Sequence, residues 1–218
     1  MPQPTIKPAR QAAKRPRGRP ACNANPGSDM LLRHGRRAFA KQGFEATSVR
    51  GIAREAGVDP ALVTHHFGSK ESLWTAIVEQ IAEQAEPMIE STRELRTGNI
   101  PMRQRVESAV SLLIDQVFAE PDIGMFFSTA ATEQGDRLDF LIDRLVRPYH
   151  DAFVPLLQDA MEAGELAPNN PEILFLMLTN AIGRTVAYSH VLSAFSTLPR
   201  RPGEFKKVVL RTALTLLN

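Results

Sequence analysis

Residues 47–71 read TSVRGIAREAGVDPALVTHHFGSKE, and the fold follows from how this stretch is punctuated. Thr47 or Ser48 offers a hydroxyl to cap the free N–H groups of a helix running through Val49, Ile52, Ala53 and Ala56. Gly57 breaks that helix, and Val58 inserts an apolar side chain at the turn. Asp59-Pro60 restarts helix, with a capping oxygen followed by a residue that has no N–H to leave unpaired. The third helix predicted here is short, 61 to about 65, with Val63 and Phe67 four residues apart and Gly68 as its stop. Ser69 caps a fourth helix, whose first turn carries Glu71 where the positive helix end favours an acid. Val49, Ile52, Ala53, Ala56, Val58 and Val63 are small or branched, so the two short helices can cross closely. That leaves Ala61, Leu62, Thr64 and His65 to face outward, the arrangement of a helix-turn-helix whose second helix suits a DNA major groove.

On the N-terminal side, Leu32, Gly35 and Phe39 fall at i, i+3 and i+7, and Gly43 stands where a helix C-terminus wants a left-handed residue. Further back, residues 1–26 hold six prolines, six basic residues and no acid. With almost no apolar side chain larger than Ala, they predict a disordered tail, because burial cannot offset the entropy of ordering. Residues 27–70 carry seven bases against four acids, whereas residues 71–218 carry 13 bases and 20 acids. The overall net charge of +2 therefore hides a basic head on an acidic body, which points to a polyanion partner for the head alone.

Helical periodicity continues to the C-terminus. Segments 106–118 and 124–132 are candidate helices, and Leu138, Leu141, Leu145, Phe153, Leu156 and Leu157 form one apolar stripe, expected to kink at Pro148 or Pro155. Asn170-Pro171-Glu172 starts a helix over 173–196, and a last helix runs over 205–216. The 173–196 segment has one formal charge, Arg184, yet Asn180, Ser189, His190 and Ser193 recur through it and a central Arg is costly in lipid. It reads as a helix buried between two subunits, not as a membrane span. No alternating pattern persists, so the expected class is all-α: a tail (1–26), a helix-turn-helix domain (27–74) and a larger helical body (75–218). The single cysteine, Cys22, excludes an internal disulfide framework and a Cys-based zinc site, and no apolar signal segment opens the chain. A cytoplasmic location is expected.

Leu31-Leu32, Phe39, Gly43-Phe44, Thr47-Ser48-Val49, Ile52-Ala53, Ala56-Gly57-Val58 and His66-Phe67-Gly68-Ser69-Lys70-Glu71-x-Leu73 span about a fifth of the chain. This stretch, Leu31 to Trp74, resembles the DNA-binding domain of the TetR family of bacterial transcriptional regulators. The resemblance implies an all-helical ligand-binding and dimerisation body, with the last two long helices forming a homodimer interface. It also implies His66 and Lys70 as phosphate contacts and Arg50 as a groove or phosphate contact. Thr47 and Ser48 would offer a hydroxyl and free N–H groups to a phosphate, while Phe67 packs. Three positions depart from the family pattern. Thr64 stands where Tyr is usual, Asp59 where Ser is common, and His34-Gly35 where Ala-Ala is common, which predicts a looser first helix.

Arg15-Pro16-Arg17-Gly18-Arg19-Pro20 resembles an AT-hook, whose arginines Arg15, Arg17 and Arg19 would lie in a narrow minor groove; the plainer reading is a solubilising basic tail. In the body, Phe118, Met125, Phe126, Phe127, Tyr149, Phe153 and Met177 are candidates for an effector pocket, with Asn180 and Arg184 to orient an apolar or amphipathic ligand. Each aromatic or methionine taken singly reads better as core, and the polar pair could equally cross the dimer interface. His65 and His66 point about 100° apart on a helix and have no third ligand nearby, so no metal is expected, and no residue set nominates a cofactor or a catalytic reaction. The sequence thus points to a homodimeric, ligand-responsive repressor of transcription on double-stranded DNA. An activator of the same fold, or a helical small-molecule carrier that does not read DNA, are the alternatives.

Overall fold

The computed structural model describes residues 26–217, and the secondary structure found among them is helical throughout. The tail arginines Arg15, Arg17 and Arg19 lie outside the described residues. Helix α1 (Pro26–Ala46) bends at Gly43, whose φ of 76° and ψ of 174° end the regular spiral where its position in the sequence predicts. Helices α2 (Val49–Ala56) and α3 (Pro60–Phe67) follow, and then α4 (Lys70–Thr97), about 42 Å long at 1.5 Å per residue. The division expected at residue 74 falls inside this one continuous helix. Leu73, Trp74, Ile77, Val78 and Ile81 pack into the head, while Ile89, two turns further on, packs into the body. Gly35 does not loosen α1; it lets α4 approach, since a Cβ there would lie 2.9 Å from Ile77 Cδ1 and 3.4 Å from Leu73 Cδ2.

The body begins with α5 (Met102–Ala119) and α6 (Pro121–Ala130). α6 begins at Pro121 itself, while α5 follows directly on Pro101, so both start three or four residues before the apolar pattern alone suggests. Helices α7 (Asp136–Leu141) and α8 (Arg147–Glu162) are joined through a π-helical turn, Ile142–Val146. The break comes directly before Pro148, which has no N–H to donate and whose ring crowds the carbonyl four residues back; a wider turn relieves both. Pro155 stays within α8.

The helix expected over 173–196 is instead two pieces, α9 (Pro171–Ala187) and α10 (Ser189–Leu192). The spiral breaks at Tyr188 (φ −98°, ψ 23°). Beyond it, serine side chains bond to the local backbone, Ser193 to the Ser189 carbonyl and Ser196 to the Leu198 N–H, in competition with regular helix. A 3-10 turn (Leu198–Arg200) leads into α11 (Pro202–Thr215). Among the described residues, no helix is long and apolar enough to cross a membrane.

Candidate nucleic-acid interface

The helix-turn-helix forms as its punctuation dictates. Ser48 Oγ accepts from the Gly51 N–H at 3.1 Å, so the cap of α2 is Ser48 and not Thr47. Gly57 takes the left-handed conformation, φ 69°, that turns the chain between the two helices. Asp59 Oδ1 accepts from the Ala61 N–H at 2.7 Å to start α3. Ile52, Ala53 and Val63 are buried and hold the pair against α1 and α4. With Val63 turned in, Ala61, Leu62, Thr64 and His65 are all exposed on α3. Thr64 donates back to the Pro60 carbonyl at 3.3 Å. Leu62, a large apolar side chain left 38% exposed on a short helix, offers the kind of surface a thymine methyl group packs against. Arg50 is exposed in the first turn of α2 and has no ion-pair partner among the described residues.

Two residues that the family resemblance assigns to DNA are turned into the fold. Thr47 is 3% exposed; its hydroxyl donates to the Gly43 carbonyl at 2.6 Å and lies 3.3 Å from that of Ala38. It closes the joint between α1 and α2 instead of presenting a hydroxyl to a phosphate. Lys70 Nζ donates to the carbonyls of Phe44 (2.9 Å) and Glu45 (3.4 Å) and stands 4.2 Å from the Phe44 ring centre. Its charge thereby satisfies the C-terminal end of α1. The spacing of residues 44 and 70 gives no hint of this closure. His66 is half-buried, its ring meeting His65 edge-on and Phe67 at a tilt. Arg137 was invisible to sequence reasoning: it lies 4.0 Å from the same Phe44 ring and pairs with Glu45, Glu71 and Glu133, tying the body to the head.

A second connection runs along α6. Arg36 of α1, almost wholly buried, donates to Glu120 at 2.6 Å, and its Nε has no partner among the described residues. Arg37 donates to Asp122 at 2.8 Å, a hydrogen bond that raises the guanidinium above its ordinary pKa, and Thr129 donates to the Ala40 carbonyl at 2.8 Å. Helix α6 is thus fastened along α1.

The other side of α6 walls a cavity of about 180 Å³ between α4, α5, α6, α8 and α9. Of the residues expected there, Phe127, Tyr149, Asn180 and Arg184 line it. The other five do not. Phe118 packs edge-on to Phe205 at 5.3 Å, Phe126 is buried beside Trp74, and Met125 packs against the head core. Phe153 is fully buried behind Tyr149, and Met177 is 61% exposed on α9. Neighbours such as 126 and 127 project about 100° apart, so a cluster of aromatics in sequence cannot share one cavity. Sequence reasoning missed the aliphatic lining from Ile81, Ala85, Met88, Leu113 and Val117, which carries no compositional signal. Tyr149 is clasped by Phe153 and Phe175, and its buried hydroxyl has no hydrogen-bond partner among the described residues. Burial raises its phenol far above the ordinary range. α9 also exposes Ile173, Met177 and, at the rim of the cavity, Leu176, followed by Tyr188 and Val191, and Phe195 beyond it is 84% exposed.

Residues 31–77 match the model of bacterial regulatory proteins, tetR family. The regulator UidR of Escherichia coli K12 is 35% identical over 89 residues, which cover 41% of this chain and 44% of UidR. The repressor AcnR of Corynebacterium glutamicum is 33% identical over 97 residues, 40% of this chain and 52% of AcnR. The chain therefore spans about half the length of these relatives. The structure of the ketosteroid transcriptional regulator KstR2 of Mycobacterium tuberculosis superposes with a TM-score of 0.66 at 19% identity, covering 91% of this chain and 97% of that one. The body therefore shares its fold with such regulators.

Proposed function

We propose, from a head whose residues 31–77 belong to the tetR family of bacterial regulatory proteins, that this protein is a ligand-responsive transcriptional repressor acting on a palindromic operator as a homodimer. The observation that carries the reading is the division of α3, with Val63 held in the core and Ala61, Leu62, Thr64 and His65 exposed. A helix seated in this way can lie in a major groove with those four side chains against base edges. Ser48, the free N–H groups opening α2, Arg50 and His66 would hold flanking phosphates. The exposed apolar face of α9, with Leu216 beyond the end of α11, supports a two-fold contact that sets two heads on successive grooves about 34–36 Å apart. Repression as the direction draws on the likeness to AcnR.

The cavity supports an effector site, and the fastening of α6 along α1 supports a route from it to the head. An effector weakens DNA binding only if it prefers the conformation in which the heads no longer match the groove spacing. The test is duplex binding by the full chain across a salt series. Affinity should fall steeply with salt, and Arg50→Ala with His66→Ala should reduce the log–log slope by about 0.9 for each phosphate that is no longer neutralised. Leu62→Ala with His65→Ala should keep the slope and lose discrimination between sequences. Binding to every duplex alike, unchanged by all four substitutions, would refute the proposal.

A further inference from the structure

The polar groups around the cavity are unequally committed. Thr179 donates to the Phe175 carbonyl at 2.8 Å, and the Asn180 amide donates to the Leu176 carbonyl at 2.9 Å. Glu120 is neutralised by Arg36 at 2.6 Å. Besides the neutral Gln116 and Ser128, whose side chains can donate or accept, two groups remain unspent: the Tyr149 hydroxyl, buried without a partner, and the guanidinium of Arg184, which has no acid paired with it among the described residues. Tyr149 holds its proton at any ordinary pH, because burial opposes the phenolate. Both are therefore hydrogen-bond donors, and the one uncompensated charge on the lining is positive. A buried hydroxyl left unpaired destabilises the apo protein, which is a reason to look for its partner in a ligand.

From this imbalance we infer that the cavity takes a small carboxylate with an apolar ring or short chain, whose carboxylate accepts from Tyr149 and Arg184. The inference rests on the reading of this cavity as the effector site. Size limits the apolar part. A cavity of about 150 Å³ lined by aliphatic and aromatic side chains is filled by benzene, so about 180 Å³ accommodates a single ring or a chain of similar bulk. Ile81, Leu113, Val117, Phe127 and Phe175 would surround that part. Arg184 and Leu176 are the exposed members of the lining, so the charged end would lie toward the α9 surface.

The experiment is calorimetric titration of the full chain with phenylacetate and hexanoate as ring and chain probes, beside phenylacetamide and 2-phenylethylamine. One or both acids should bind at least about tenfold more tightly than the amide, as a charge-assisted hydrogen bond warrants, and the amine should not bind. Arg184→Gln should bring the acid down to the affinity of the amide, while Tyr149→Phe should weaken acid and amide alike by about tenfold. Equal or tighter binding of the amide or amine, an acid preference that survives Arg184→Gln, or no binding by any probe would overturn the inference. Duplex binding by the same preparation separates the two readings. DNA bound with no preference for the acids refutes the ligand class alone, whereas acid binding without DNA binding refutes the regulator and leaves the cavity assignment standing.

Discussion

Thr47→Val removes one hydroxyl from the joint between α1 and α2 while nearly preserving its shape. That hydroxyl donates to the Gly43 carbonyl at 2.6 Å in a residue only 3% exposed. Losing a buried hydrogen bond costs about 1 kcal/mol, and leaving its acceptor unpaired raises the cost to about 1–3 kcal/mol. The added methyl group returns up to about 0.8 kcal/mol of apolar burial, so a net loss of about 1–2 kcal/mol is expected. For a chain of this size, that lowers Tm by about 3–6 °C. The assay is thermal denaturation at fixed protein concentration, with Thr47→Ser, which keeps the donor, as the control. The affinity for duplex at fixed salt should not change, because the hydroxyl faces inward. A Tm within about 1 °C of the parent together with a duplex affinity about fivefold or more weaker at fixed salt would put the hydroxyl on a phosphate and overturn its placement in the joint.

Opposite outcomes are expected from two glycines at the contact of α6 and α9. A Cβ on Gly124 would lie 3.0 Å from the Gly183 carbonyl oxygen, so Gly124→Ala should destabilise by about 1 kcal/mol even after its gain in helix propensity, whereas Gly183→Ala meets open space and should stabilise by about 0.5–1 kcal/mol in urea melts. Glu120→Gln strands the buried Arg36 guanidinium and should cost about 1–3 kcal/mol, less than a fully buried pair because Glu120 is 40% exposed; an unchanged melt would show that the pair contributes nothing. Tyr149→Phe tests the buried phenol. Its folded pKa is raised, so above pH 10 the unfolded chain releases a proton that the folded one keeps, and stability falls by up to about 1.4 kcal/mol per pH unit. The variant should lose that slope and be at least as stable as the parent at pH 7. Trp74, 2% exposed and 6.2 Å from the Phe126 ring on α6, should emit at short wavelength and change intensity when the cavity is filled; an unresponsive signal would argue against coupling through α6.

Local signals explain what was legible in the chain. Ser48, Gly57, Asp59-Pro60, Gly68 and Ser69 each act on the backbone within three or four residues, so the helix-turn-helix could be read directly. The outward face of α3 followed from the same spacing. What could not be read depends on distant closure: Lys70 reaching carbonyls 25 and 26 residues away, Arg137 gathering three acids, and Arg36 finding Glu120 across 84 residues. The cavity was half legible for a related reason. Polar residues on an apolar helix, Asn180 and Arg184, stand out in a sequence, but the aliphatic side chains that complete the wall look like any other core. The break at Tyr188 was missed because apolar periodicity continues past it into α10.

The claim that α3 reads DNA is tested most directly by selecting from a pool of random duplexes with the full chain and sequencing what is retained. Enrichment of a palindrome with half-site centres about one helical turn apart is expected, altered at the half-site positions by Leu62→Ala or His65→Ala. A retained pool no different from the input, from protein that is folded and dimeric, would contradict it.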